Sequence, residues 1–194
     1  MLTTITALLL TILTLPLFLL IAVLIALIDG RPVCFTQQRI GLNGKPFRLY
    51  KFRTMVPAPN TNNEELPSKQ PLTRTGPLLR RTGLDELPQL VNVLRGEMSL
   101  VGPRPLPAVY GPYLTRQERR RHRVRPGITG PVQTGLGQGG WERKFEVDLW
   151  YVERKCFWLD AKLVLRTVVY VATRLVDSGN GEKVVDLREE RAGK

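Results

Sequence analysis

Thr82-Gly83-Leu84-Asp85-Glu86-Leu87-Pro88-Gln89-Leu90, followed by Gly96-Glu97-Met98-Ser99-Leu100-Val101-Gly102-Pro103-Arg104-Pro105, is the stretch that decides how the chain reads. It sets two adjacent carboxylates, Asp85 and Glu86, after a glycine and at the head of an apolar-periodic segment. Leu87, Leu90, Val91 and Leu94 fall on one helical face and Gly96 stops them, which predicts a helix over 85–95. Carboxylates at a helix start lie in a positive end field among free backbone N–H groups. That field favours an ionised carboxylate and also attracts phosphate. Pro103 and Pro105 then pre-set the backbone around Arg104, whose planar guanidinium can hold phosphate through two parallel hydrogen bonds. The stretch points to chemistry on a phosphorylated substrate.

Working outward, composition narrows the chemistry. The chain has 194 residues, the size of one domain, with 29 Lys+Arg against 17 Asp+Glu and a net charge of +12. Such a balance calls for an anionic partner: nucleic acid, anionic lipid or a phosphorylated ligand. Cys34 and Cys156 are too few for a disulfide framework and lack metal-ligand spacing, so they read as reduced cytosolic thiols. The lone His122 sits in an arginine run and reads as solvated, and no Gly-x-Ser-x-Gly elbow is present. Covalent catalysis would therefore use a carboxylate or a lysine. Gly135-Leu136-Gly137-Gln138-Gly139-Gly140 fits a dinucleotide fingerprint formally, but no clear strand precedes it and no apolar helix follows directly. It reads as a flexible loop beside the active site.

Ile5 to Ile28 is almost wholly apolar, carries no charge and is about long enough to span a bilayer. No basic residue precedes it, and no cleavage site is evident near its end. One straight spanning helix is the plain reading. Pro16, near the midpoint, removes a backbone hydrogen bond and favours a break, with Thr11 and Thr14 available to satisfy freed carbonyls. A helix broken there could return to the face it entered. Every lysine and arginine follows residue 30, which points to the cytoplasmic face.

Pro32 to Met55 reads as a hairpin, with β-prone Val33-Cys34-Phe35 and Phe47-Arg48-Leu49-Tyr50 around a Gly41-Leu42-Asn43-Gly44 turn. Val56 to Leu72 reads as a mobile loop, and Thr75 to Arg81 as a short helix with Pro77 near its start. Arg116 to Arg125 is a basic run, either a solvated face or a contact with anionic headgroups worth about 1 kcal/mol per cation. Leu149 to Val176 is amphipathic, with Trp150, Tyr151, Phe157 and Trp158 at its start. It suits a core stripe or a helix lying on a bilayer equally well.

Several of these blocks occur together and in order: Lys51-Phe52-Arg53-Thr54-Met55, the Asp85-Glu86 block, Arg104-Pro105, and Arg125-Pro126-Gly127-Ile128-Thr129-Gly130. The set, roughly positions 10 to 170, resembles the bacterial sugar transferases, the monotopic phosphoglycosyl transferases that begin glycan assembly on a polyprenol phosphate. The resemblance implies that Asp85 is the nucleophile, attacking the sugar-bearing phosphate of a UDP-sugar and releasing UMP. Undecaprenyl phosphate would then attack the phosphosugar–aspartyl intermediate. It implies that Glu86 assists, through proton handling or metal positioning, that Lys51 and Arg104 bind substrate, and that Mg²⁺ is the cofactor with Asp85 as its contact. It also favours a re-entrant helix, because the family has a Ser-Pro break where this chain has Leu15-Pro16. Two other departures are Gly83, where Ser or Thr is usual, and Pro131-Val132, where Trp-Ala is usual.

The fold expected is α+β and mostly α-helical: a membrane-inserted helix over 1–30, re-entrant and broken at Pro16, then a catalytic domain over 31–176 with a small β-hairpin and amphipathic interfacial helices, then a polar tail over 177–194. It would sit on the bacterial inner membrane, catalytic side to the cytoplasm, against anionic lipid. No nucleic acid is expected, and a homo-oligomer is left open. The chain reads as close to the minimal catalytic unit. Sugar choice is assigned to the loops at 56–72 and 130–145. A membrane-anchored basic scaffold would explain the charge and the apolar segment, but not Asp85-Glu86 beside Arg104. A nucleic-acid binder would leave the apolar segment unexplained.

Overall fold

A computed structural model describes residues 2–57, 70–176 and 186–192. The molecule is mostly helical, with two small two-stranded sheets. Helix α1 (Leu2–Ile28) runs through Pro16 as one element. Pro16 leaves the Ile12 carbonyl without its amide partner. The two threonines do not repair that carbonyl: Thr11 donates to Ala7 O and Thr14 to Leu10 O, both at 2.7 Å. One stripe of α1 faces the rest of the protein. Ala7 packs with Phe47, Leu49, Val93 and Met98, and Ile21 and Ile25 pack with Phe52 and Leu79. Leu9, Leu13, Leu20 and Leu27 point outward and are exposed.

The expected hairpin is present. Strands β1 (Cys34–Ile40) and β2 (Pro46–Phe52) are antiparallel, with Cys34 opposite Phe52 and Ile40 opposite Pro46. The turn between them works because Asn43 (φ 54°) and Gly44 (φ 78°) both take left-handed backbone, which Asn and Gly tolerate best. Phe47, Leu49 and Phe52 of β2 share core clusters with α1, and Asn92 covers the outer edge of β2. That fully buried amide donates to Arg48 O (2.8 Å) and accepts from Tyr50 N (3.2 Å).

Residues 85–95 do not form one helix. A 3₁₀ turn at Leu84–Glu86 gives way at Leu87-Pro88 to helix α3 (Gln89–Leu94). Pro88 has no N–H to continue the turn, and the amides of Leu90 and Val91 bond only three residues back, to Leu87 O and Pro88 O. Before this turn, α2 (Gly76–Thr82) ends at Gly83 in the left-handed conformation (φ 72°). Glycine at this position, where Ser or Thr is usual in the family, serves as a helix stop.

A parallel pair was not legible in the sequence. Strands β3 (Ser99–Val101) and β4 (Gly127–Thr129) align Ser99 with Gly127 and Val101 with Thr129. Gly102 N donates to Thr129 O (2.9 Å) and Gly127 N to Pro103 O (3.0 Å). A Cβ on Gly127 or Gly130 would collide with the Gly102 backbone, so these glycines permit the close approach. The Gly102–Pro105 and Arg125–Gly130 blocks are thus two sides of one junction.

The amphipathic segment is two helices. Helix α4 (Trp141–Arg154) buries Trp141, Phe145, Val147, Asp148 and Tyr151. After a break at Lys155-Cys156 comes α5 (Phe157–Val176). It buries Leu163 but exposes Phe157, Trp158, Leu165, Val168 and Val169. The core-stripe reading therefore holds for α4, while α5 leaves an apolar stripe exposed. In the segment expected as a polar tail, α6 (Leu187–Ala192) docks its fully buried Leu187 among Ile40, Leu106, Tyr110 and Trp141. The Gly135–Gly140 loop meets Tyr170, Arg143 and Glu190. Most of the 56–72 loop, residues 58–69, lies outside the described residues. His122 is buried, not solvated, because the arginine run packs one side of its 3₁₀ turn (Glu118–Arg123) inward. Burial, with Arg121 and Arg119 beside it, lowers its pKa to about 4, so it is neutral. Cys34 and Cys156 are free and exposed.

Candidate active site

Four elements converge on two carboxylates. Lys51 comes from β2, Asp85 and Glu86 from the 3₁₀ turn, Arg80 from the last turn of α2, and Arg104 from the strap after β3. Lys51 Nζ donates to Glu86 Oε1 at 2.6 Å and lies 3.7 Å from Asp85 Oδ2. Arg104 Nη1 reaches the same Glu86 Oε1 at 3.3 Å. All four residues singled out in the sequence are thus together. Asp85 is buried, while the Arg104 side chain is half exposed, so the cluster opens to solvent on the arginine side.

The two carboxylates differ. Burial works to raise both. For Glu86, the charges and hydrogen bonds of Lys51 and Arg104 overcome burial and hold the group at about 2. For Asp85, burial together with the Glu86 charge outweighs Lys51, Arg104 and Arg80, and its pKa is raised. Glu86 is an anion fastened between two cations. Asp85 is the more basic neighbour, with its oxygens less engaged.

The strap carrying Arg104 is held from behind. Pro103 and Pro105 are buried on either side of the exposed arginine. Arg39 Nη1 donates to Pro105 O (2.9 Å), and Arg121 Nη2 donates to Arg104 O (2.8 Å). Arg121 is itself paired with Asp148 of α4, both side chains fully buried. Among the described residues Arg39 pairs with no carboxylate, and burial with repulsion from Arg104 lowers its pKa to about 9. Sequence reasoning missed Arg39, Arg80, Arg121 and Asp148. Arg39 follows buried Gln37 on β1, but a single sequence does not tell which strand face meets the strap. Arg121 looked like one more residue in a basic run.

A hard cation fits here in one form. Among the described residues no group of three or more His, Cys, Asp or Glu side chains could hold a metal. Glu86 Oε1 is taken by Lys51 and Arg104. Asp85 would then be the protein oxygen donor, and substrate phosphates and water would complete the shell, as is usual for Mg²⁺.

These features define a membrane-helix-bearing protein built around a carboxylate pair and a ring of cations, and comparison with known proteins gives its class. The family model for bacterial sugar transferases matches residues 1–174, and the chain belongs to that family. It is 53% identical over 140 residues to the "Uncharacterized sugar transferase EpsL" of Bacillus subtilis (strain 168), covering 72% of this chain and 69% of that protein. It is 40% identical over 177 residues to the UDP-glucose:undecaprenyl-phosphate glucose-1-phosphate transferase of Caulobacter vibrioides, covering 85% and 66%. To the transferase of the same name from Escherichia coli (strain K12) it is 39% identical over 159 residues, which is 76% of this chain and 34% of that protein.

Proposed function

We propose that the chain transfers a phosphosugar from a UDP-sugar to undecaprenyl phosphate through Asp85, opening a membrane-bound glycan assembly sequence. The observation that carries this is the division of labour between the two carboxylates: Glu86 collects Lys51 and Arg104 on one oxygen and leaves Asp85 basic beside them. The names of the relatives from Caulobacter and Escherichia coli support the substrate classes.

In the first step an Asp85 carboxylate oxygen attacks the sugar-bearing phosphorus. An oxygen–phosphorus bond forms, the bond to the bridging oxygen breaks, and UMP leaves with that oxygen and its electron pair. In the second step a phosphate oxygen of the lipid attacks the same phosphorus. Asp85 leaves as carboxylate, and the product is undecaprenyl diphosphate–sugar. An acyl phosphate keeps the group reactive between the steps. Mg²⁺ on Asp85 would screen the diphosphate charge. Lys51 and Arg104 are placed to bind phosphate oxygens, and Arg104 is the one that solvent, hence substrate, reaches first. Glu86, ionised at any working pH, holds these cations in place rather than moving a proton.

The packing of α1 supports a one-sided membrane attachment. Ala7 near one end and Ile25 near the other both pack on the same globular body. A helix crossing to the far side of a bilayer could not keep its first residues on that body, so the packing supports attachment at one face, which the basic charge after residue 30 makes the cytoplasmic one. The exposed apolar stripe of α5 fits the interface. An open groove of about 580 Å³ lined by Arg116, Gln117, Arg119, Arg120 and Arg123 fits anionic headgroups. The test is UMP release from a panel of UDP-sugars by protein in nanodiscs with undecaprenyl phosphate and Mg²⁺. Release with one or a few sugars supports the reading; no release with any, from folded protein, leaves the scaffold reading.

A further inference from the structure

The exit of α1 is tied to both halves of the cluster. Arg53 lies two residues beyond Lys51, about 7 Å along the strand. It is buried, and its Nη2 donates to Asp29 O (2.6 Å) and Gly30 O (2.7 Å), while Nη1 reaches Arg31 O (3.4 Å). One guanidinium thus gathers three successive carbonyls at the C-terminal end of the membrane helix, where carbonyls lack helical partners and a cation is favoured. The Asp29 side chain turns the other way. Oδ1 accepts from Arg74 N (2.9 Å), and Oδ2 accepts from Thr75 N (3.3 Å) and from the Thr75 hydroxyl. These groups lead into α2, whose own N-cap residue, Thr75, makes no side-chain cap. Thr54, next to Arg53, fixes the same helix: Thr54 O accepts from Thr73 N (3.1 Å), and Thr54 Oγ1 accepts from Arg80 Nε (2.9 Å). The far end of α2 passes through Gly83 directly into Asp85 and Glu86.

We propose that Arg53 and Asp29 are positioning residues that form a latch between the seat of the membrane helix and the active site. Through it the exit of α1 sets Lys51, on the Arg53 side, against Asp85 and Glu86, on the Asp29 side. Lys51 and the carboxylates belong to separate elements, and both elements are tied to residues 29–31. A shift of about 1 Å between a catalytic group and its partner can cost on the order of 100-fold in rate. Lost membrane seating would therefore be felt as lost turnover, although no latch residue touches substrate.

The inference rests on the proposed transferase reading, so its test has an arm that needs no activity. The full chain in phosphatidylglycerol-containing nanodiscs is compared with Asp29→Ala and Arg53→Lys, the latter keeping the charge but unable to span three carbonyls. UMP release gives kcat and KM, and hydrogen exchange gives local protection. Expected for both variants is a tenfold or greater fall in kcat, with KM for the UDP-sugar within about twofold. Protection should be lost at residues 74–86 and kept across α4. Faster exchange at 74–86 with unchanged kcat would overturn the proposal, because the latch would then only brace the fold. Equal loss of protection in α4 would overturn it as general destabilisation. If the parent chain released no UMP, the transferase reading would fall; unchanged exchange at 74–86 in Asp29→Ala would separately remove the latch.

Discussion

Asp85 and Glu86 are neighbours in sequence with opposite electrostatics, and this contrast is testable residue by residue. The folded protein raises the Asp85 pKa, so the ionised form opposes folding at neutral pH. Asp85→Asn should abolish turnover yet raise the melting temperature at pH 7, on the order of a few degrees. The gap should close on acidification, as Asp85 in the parent protein protonates. By the same shift, the acid limb of kcat/KM should lie above the usual aspartate range. Glu86 has the reverse sign. With its pKa held at about 2 against 4.5, it contributes stability that is present above about pH 4.5 and lost as pH falls towards 2. Glu86→Gln should cost on the order of 2–3 kcal/mol in thermal unfolding at pH 7. It should also slow turnover on the order of 100-fold, because freed Lys51 would turn to Asp85. Asp85, Glu86 and Arg104 were legible because each sits in a short block with its own glycine or proline punctuation, whereas Lys51 was legible only through the resemblance that its Lys51–Met55 block carries. Arg39 and Arg80 were not. What brings them to the site is the pairing of β1 with the strap and the stop of α2 at Gly83, which are contacts between distant segments.

Among the elements, the basic run shows where sequence reading stops. Composition gave one charged face. The 3₁₀ turn divides it, with Arg121 inside against Asp148 and Arg116, Arg119 and Arg123 outside. Removing one partner of a buried ion pair strands the other charge. Arg121→Met should cost about 3–5 kcal/mol in denaturant unfolding. Adding Asp148→Leu should recover most of that stability but not turnover, since the Arg104 carbonyl would still lack its donor. The hairpin was legible because strand alternation and an Asn-Gly turn are local signals. The β3–β4 pair was not: strands this short carry no period, and the glycines that permit their approach look like loop residues until the backbones meet. The predicted 85–95 helix failed at Pro88 for a local reason that the apolar stripe outvoted.

On the scale of the molecule, the proposed membrane contacts are the apolar segment, the exposed α5 stripe and the arginine groove. The segment was plain from composition; that its two ends pack on one body was not, because that depends on contacts with residues far along the chain. Replacing exposed Trp158 and Leu165 together by Glu should weaken vesicle binding tenfold or more without lowering thermal stability, since neither side chain is in the core. Charge reversal at Arg116 and Arg123 should instead reduce the dependence of binding on anionic lipid and on salt. The central claim is covalent transfer through Asp85. It is tested most directly by the intact mass of the protein, quenched after mixing with its UDP-sugar and Mg²⁺ in the absence of lipid acceptor. A mass gain of one phosphosugar is expected, mapped to Asp85, absent in Asp85→Asn and discharged by undecaprenyl phosphate. Turnover with no adduct at any time, or an adduct that persists in Asp85→Asn, would contradict it.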